Sequence, residues 1–428
     1  MKVKKEMKTL VSNTVMLYIM QVSGYIFPLL TFPYLTRVLG PEYFGVTTFV
    51  SATITYFQLV VDFGFLLSAT RDCSLHRDNK QKLQEILSSV VKAKTFIATI
   101  AFAGIFILII FVPQYQEHGL YLALSYLAVF ASAFIPDYMF RGIERMSVIT
   151  YRSVASKALY TVLIFIFVRQ DTDYVLIPIF MFAANVFVVI WSFIYLYKKL
   201  DIRWIKTPVS SVVAAIKDSA VFFVSRIATT IYNATNVVAL GFFFPSAALA
   251  SFTSANDLIT KGRGMFSPIA DSIYPYMVKQ KNFKLIKKVL IFSFPIILAG
   301  TVFLYIFTPE AIRIVCGEGY EGAIPIFRIL LFMVPITLPI YLLGFPTLGA
   351  LNMMKEANLT IVYAAVYHVI GLLILFAVGK FEFIPVAILT VTSEFVVLIS
   401  RAIYSYLGFK RLERERKYEQ IHSQIQNK

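Results

Sequence analysis

The chain has 428 residues; 58% are hydrophobic and 16% aromatic against 15% charged, and mean hydropathy is +0.73. That composition excludes a water-soluble globular domain and points to an all-α polytopic membrane protein. A formal net charge of +16 would suit nucleic acid, but where the cations lie excludes that partner, as the loops below make plain.

Apolar runs of roughly 20 residues, long enough to cross the ~30 Å hydrocarbon core as helices, recur about twelve times. In chain order they are 10–36, 44–70, 83–112, 119–140, 146–168, 174–197, 219–244, 247–275, 288–308, 324–345, 359–379 and 384–407. The first follows a basic leader, yet no alanine precedes Ala52, so a signal-peptide cleavage pattern is missing and the segment is expected to remain as a helix. It carries Pro28 and Pro33, which withhold backbone donors, and ends at Arg37-Val-Leu-Gly-Pro41. These residues predict a bending gate helix, with Pro28, Pro33 and Arg37 as its gating residues, Arg37 at the interface and Gly40-Pro41 turning the chain.

Basic residues alternate between loops. One side holds Lys2, Lys4, Lys5 and Lys8, then Arg71, Arg77, Lys80 and Lys82, then Arg141 and Arg145. The same side continues with Lys198, Lys199, Arg203 and Lys206, the lysines of 279–288, and the tail with Lys410, Arg411, Arg414, Arg416 and Lys417. The opposite loops hold Arg169, Arg313, Lys380 and little else. The positive-inside rule therefore predicts both termini in the cytoplasm. The excess charge reads as topology, and no nucleic acid is expected.

The polar stretch 197–219 divides the spans into two groups of about six by the same length criterion. The expected organisation is an N-terminal lobe 1–197, a cytoplasmic linker 198–218 acting as a hinge, a C-terminal lobe 219–407 and a basic tail 408–428. An even count in the first group makes the lobes parallel repeats about a pseudo-two-fold axis along the membrane normal. A short echo, Thr48–Ala52 against Ser251–Ala255, agrees with that repeat.

Ionisable residues inside spans are costly and mark interior faces or water-filled cavities. Lys157 lies mid-span. Asp257, Lys261, Gly264, Pro268 and Asp271 are spaced to share one face of the eighth helix, although Asp257 and Lys261 could equally form an internal i, i+4 pair. Glu394 and Arg401 share a face of the twelfth, Arg226 leads Asn233 and Asn236 on the seventh, and Asp62 lies in the second. For Lys92, Lys94, Arg152 and Arg328, snorkelling to the interface competes with a cavity role. Together with Arg152, Arg263 and Arg401, the set is net cationic and suits an anionic substrate. His76, His118, His368 and His422 show no metal-ligand spacing. Neither a Walker-type loop nor G-x-S-x-G occurs, so no catalytic residue, cofactor or metal is expected. Cys73 and Cys316 fall on opposite sides and should not pair.

LLTFPYLTRVLGPEYFG (29–45), VDFGFLLSATR (61–71) and IPDYMFRGIERMSVIT (135–150), with SPIADSIYPYM (267–277) and GEGYEGAIPIFRIL (317–330), carry a resemblance over nearly the whole chain. The sequence resembles the O-antigen and polysaccharide flippases of the multidrug/oligosaccharidyl-lipid/polysaccharide exporter superfamily. Tyr138 and Arg141 depart from the Trp and Gln usual there, so glycan preference does not carry over. The resemblance implies two six-helix bundles in a V around a central cavity, open alternately to each face. The implied substrate is an undecaprenyl-diphosphate-linked oligosaccharide, flipped across a bacterial inner membrane. Lys157, Arg226 and Lys261 would then meet the headgroup or a charged glycan, while Asp62, Asp257 and Glu394 would couple transport to protons or sodium. Membrane lipids, a polysaccharide polymerase and a chain-length regulator are the implied partners. A drug/cation antiporter of the same superfamily is the nearest alternative, but it should prefer an acidic cavity. A membrane-embedded polymerase or glycosyltransferase should show a large external loop, and none is present.

Overall fold

Backbone polar groups in hydrocarbon must be paired within the chain, and in this sequence helices meet that requirement throughout. The computed structural model describes the backbone of residues 2–426, and the side chains except at 2–12, 14, 224–225, 228–233 and 415–426; no strand occurs among them. The expectations placed on Asn233 and on the side chains of Lys2, Lys4, Lys5, Lys8, Arg416 and Lys417 therefore lie outside the described residues.

The chain divides into two compact units, Met1–Ala250 with Cys316–Gly319, and Ser251–Val315 with Tyr320–Lys428. Unit 1 holds α1 (Lys2–Asp62), α2 (Phe65–Leu75), α3 (Lys80–Phe111), α4 (Pro113–Gln116) and α5 (Gly119–Ala133). After these come α6 (Asp137–Gly142), α7 (Met146–Phe167), a 3-10 turn, α8 (Leu176–Lys199), α9 (Val209–Phe243) and the start of α10 (Ser246–Gly264). Unit 2 holds the rest of α10, then α11 (Ser267–Gln280), α12 (Phe283–Ile306), α13 (Thr308–Cys316), α14 (Ala323–Leu330) and α15 (Met333–Leu342). A π-helical turn Leu343–Leu348, α16 (Met354–Ala377) and α17 (Phe383–Gln426) complete it. The seventh predicted span, expected in the C-terminal lobe, is α9 and packs within unit 1.

Burial is arranged as lipid requires. Small hydroxyl residues such as Ser23, Thr31, Thr53, Ser68 and Ser88 are buried, while Leu30, Phe96, Ile107 and Phe111 are exposed. Hydrocarbon offers no advantage to burying a leucine, so small residues let helices approach, and their hydroxyls bond their own helix. Thr31 Oγ1 donates to the Phe27 carbonyl at 3.1 Å and Thr53 Oγ1 to that of Phe49 at 3.1 Å. Among the described residues, nine helices are long and apolar enough to cross a membrane. The chain is a multi-pass membrane protein.

Several predicted spans differ in form from their expectation. The first break in α1 falls at neither proline. Pro28 and Pro33 sit inside helix of regular dihedrals, and the one non-helical residue is Gly40, at φ 64° and ψ 176°. Glycine takes that positive φ without a Cβ clash, and Pro41 then fits the opening of the next helical run. The second break follows Asp62, where Phe63 (φ 40°) and Gly64 (φ 78°) turn the chain into α2. A Cβ on Gly64 would lie 2.7 Å from the Ser219 carbonyl oxygen and 2.8 Å from Phe222 Cβ, both on α9. Gly64→Ala is therefore expected to destabilise the protein by about 1–3 kcal/mol, read as a lowered unfolding temperature in detergent, whereas an unchanged temperature would show that α9 gives way. The eighth span is likewise interrupted, because α10 ends at Gly264 and α11 begins at Ser267. Asp257, Lys261 and Asp271 do not share one continuous helical face as predicted. The span 324–345 is also divided, into α14, α15 and the π-helical turn.

The predicted linker is a strap. Along one face of α3, Lys80 Nζ reaches Asp201 at 2.6 Å, Gln84 Nε2 donates to the Asp201 carbonyl at 3.3 Å, and Ser88 Oγ accepts from Ile205 N–H at 2.9 Å. Lys92 Nζ then donates to the Thr207 carbonyl and hydroxyl at 3.0 and 3.1 Å. The i, i+4 spacing of these four residues carries the contact down the helix. Lys92 thus bonds to the strap. The Lys80 ammonium, with Arg203 beside it, holds the Asp201 carboxyl below its ordinary range.

Candidate functional site

The polar residues of unit 1 gather at two places. On α7, positions 149, 152, 153, 156, 157 and 160 repeat at helical spacing and turn one stripe inward. With Met20 of α1, Asp137 of α6 and Asn185 of α8 they line a cavity of about 370 Å³. Lys157, half-buried, donates to Ser23 Oγ at 3.2 Å and faces the Met20 carbonyl at 3.5 Å. Among the described residues no carboxylate lies within 4.0 Å of its ammonium. A cation with only neutral partners in an apolar surround favours an anion beside it.

Arg152 lines the same cavity but already has a carboxylate against it. It is 1% exposed, ion-pairs with Asp137, donates to Ser192 Oγ and lies 5.0 Å over the Phe140 ring. Snorkelling is thereby overturned for this residue. Asn185 donates to the Ala128 carbonyl at 2.9 Å and Ser156 to that of Ala184 at 3.3 Å, leaving their remaining lone pairs and hydrogens to the cavity.

The second place in unit 1 centres on Asp62 at the end of α1. Lys94 of α3 approaches its carboxylate to 3.6 Å and Arg226 of α9 to 3.9 Å. Lys94 is 6% exposed, so it too does not snorkel. One carboxylate shared by two cations leaves this cluster with a net positive charge. Sequence reasoning left Lys94 open between the interface and a cavity; its partner across the helices carried no signal in sequence spacing.

Arg37 lies exposed in the last turn before Gly40, its Cγ 3.0 Å from where a Cβ on Gly317 would stand.

Unit 2 assembles its charges differently. Glu394 of α17 meets Arg263 of α10 at 2.5 Å, and Arg263 Nε donates to Thr337 Oγ1 of α15 at 2.6 Å. One helical turn and more along α17, Arg401 donates to the Ile340 carbonyl at 2.6 Å and to Thr360 Oγ1 at 3.2 Å. His368 of α16 shares a 2.9 Å hydrogen bond with Ser393. Lys261 and Asp257 form the i, i+4 pair at 2.8 Å that competed with a cavity role. Arg328 lies 5.3 Å over the Tyr305 ring. Among the described residues no group of three His, Cys, Asp or Glu could hold a metal ion.

The predicted site residues therefore separate. Lys157 faces a cavity, Asp62 and Arg226 belong to a three-charge cluster, and Arg152, Arg263, Glu394 and Arg401 have strong partners inside their own unit. The residues missed were Asp137, Lys94, Ser192 and Thr337, each the partner of a predicted one. Asp137 had a visible signal, being the acid of the Pro136-Asp137-Tyr138 stretch ahead of α7.

Residues 10–281 match the family described as polysaccharide biosynthesis protein. A protein of Escherichia coli (strain K12) designated a candidate O-antigen transporter is 29% identical over 324 residues, which are 74% of this chain and 78% of that protein. One of the same designation from Shigella dysenteriae is 26% identical over 318 residues, 72% of this chain and 78% of that protein. Among solved structures, the lipid II flippase MurJ in its inward closed conformation gives a TM-score of 0.71 at 14% identity, covering 94% of this chain and 87% of that one. An inward-facing multidrug resistance MATE family transporter of the MOP superfamily gives 0.65 at 15% identity, covering 95% and 99%. At those identities the structural likeness is one of fold.

Proposed function

The chain belongs to the polysaccharide biosynthesis protein family, and on that premise we propose that it is a flippase for a lipid-linked oligosaccharide. It turns an undecaprenyl-diphosphate-linked O-antigen or other surface-polysaccharide repeat unit from the cytoplasmic to the periplasmic leaflet by alternating access. The observation that carries this reading is Lys157, an ammonium without a carboxylate partner among the described residues, facing a cavity that also offers serine hydroxyls and the Asn185 amide. A diphosphate or acidic sugar needs the cation, and glycan hydroxyls need the neutral partners. A cationic drug would be repelled there, which disfavours the antiporter alternative.

In this proposal Lys157 and Arg226 are the substrate-facing cations, with Lys261 as a further candidate. Arg152, Arg263 and Arg401 have donors committed to Asp137, Glu394 and the Ile340 carbonyl, and are proposed to position the helices that carry the site. Asp62 is the favoured ion-coupling carboxylate, since its pairs at 3.6 and 3.9 Å are looser than the 2.5 Å pair of Glu394; Asp257 remains a second candidate. Pro28, Pro33 and Arg37 keep their proposed gating role, with Gly40 added as the pivot. The proposed topology is twelve crossings in two lobes, 1–197 and 219–407, in the inner membrane with both termini cytoplasmic. The proposed coupling ion is a proton or sodium, and the proposed partners are a polymerase and a chain-length regulator.

The test is reconstitution. In liposomes, a fluorescent lipid-linked oligosaccharide is expected to become accessible to an external quencher only with the protein present. Equal scrambling of a plain phospholipid would sink specific flipping, and uptake of a cationic dye without glycolipid movement would favour the antiporter.

A further inference from the structure

Unit 2 covers α12 less than any other long apolar helix: Ile286 is its one buried residue. Opposite Ile286, residues Lys284, Lys287, Lys288, Ile291, Phe292 and Pro295 recur at i, i+3, i+4, i+7, i+8 and i+11, a single stripe along the helix. That stripe forms a groove of about 480 Å³. Phe292 is 74% exposed and Ile291 63%.

We propose that this groove binds an anionic phospholipid, its headgroup phosphates on Lys284, Lys287 and Lys288 and an acyl chain along Ile291, Phe292 and Pro295. The site is independent of the flipping reaction proposed above. Two features point to a lipid of this charge. Among the described residues none of the three lysines forms an ion pair, so three like charges stand within about one helical turn, and a phosphate-bearing headgroup relieves their repulsion. The apolar part begins one turn further into the helix, where the chains of a bilayer lipid begin below its phosphates.

A bulk phospholipid fits better than the glycolipid substrate. No lining residue of the groove belongs to the charge clusters of Arg263, Glu394 and Arg401, and the stripe lies on the side of α12 opposite the residue it buries.

Native mass spectrometry of the purified full-length protein, titrated with cardiolipin or phosphatidylcholine, tests this. Wild type is expected to retain cardiolipin preferentially. The triple variant Lys284→Gln, Lys287→Gln, Lys288→Gln should lose about fivefold in affinity per lysine, at ~1 kcal/mol each. A control triple, Lys198→Gln, Lys199→Gln, Lys206→Gln, removes the same charge from exposed positions of unit 1 and should retain the lipid. Equal retention by wild type and the groove variant, or equal loss in both triples, would overturn the site. Displacement by excess inorganic phosphate, or a stronger preference for polyprenyl diphosphate than for cardiolipin, would overturn the assignment to phospholipid.

Discussion

Glu394→Gln is expected to lower the unfolding free energy of the protein by about 3–5 kcal/mol, because it leaves Arg263 buried without its counter-charge. The side chains of the pair are 11% and 9% exposed, so water can screen little of the loss. The compensating variant is informative. Arg263→Gln with Glu394→Gln removes both charges, and Thr337 does not need the arginine because its hydroxyl already donates to the Met333 carbonyl at 2.7 Å. The double variant should recover most of the stability, since a neutral pair avoids the cost of burying ions. Calorimetry of the four proteins measures the coupling, and flipping assays on the same set separate two roles. Recovery of transport in the double variant would mark Glu394 as a structural partner; a stable but inactive double variant would return it to the ion-coupling candidates.

The second large effect is expected at Lys157. Lys157→Ala should strand the lipid-linked precursor on the inner leaflet and abolish surface polysaccharide, while costing little stability, since the ammonium bonds a hydroxyl at 3.2 Å and a carbonyl at 3.5 Å that also bond each other at 2.6 Å. Removing it leaves neither of them orphaned. Lys157→Arg keeps the charge and should retain part of the transport. Asp137→Asn supplies the contrast: it strips the buried Arg152 of its ion pair and should lower stability and transport together. Normal surface polysaccharide in Lys157→Ala would remove the cavity from the substrate path.

How much was legible in the sequence depends on the physical signal each feature leaves. Apolar runs and loop charge predicted the membrane class and most helices, because length and hydropathy are local properties. The breaks were read less well. Pro28 and Pro33 were expected to bend the first helix, which runs regularly through both, whereas the turn expected at Gly40-Pro41 is where the backbone does break; the turn at Phe63 and Gly64 had no such reading. Charge roles were half legible. The cost of an ion in hydrocarbon marks Arg152, Arg263 and Glu394 as unusual from sequence alone, but partners such as Asp137 and Thr337 are 15 and 74 residues away in the chain and only packing brings them together. The strap over α3 was read as a hinge because polarity alone cannot distinguish a solvated segment from one that bonds another helix.

Gly40 has a mechanical consequence. Residues 2–39 form one helical rod, about 57 Å long at 1.5 Å per residue, and a single dihedral pair joins it to 41–62. A rotation of about 5° at that joint sweeps the far end of such a rod through about 5 Å, one helical pitch. Small torques near Pro41 are thus amplified at the opposite end of the lever, while the rod itself keeps every regular dihedral.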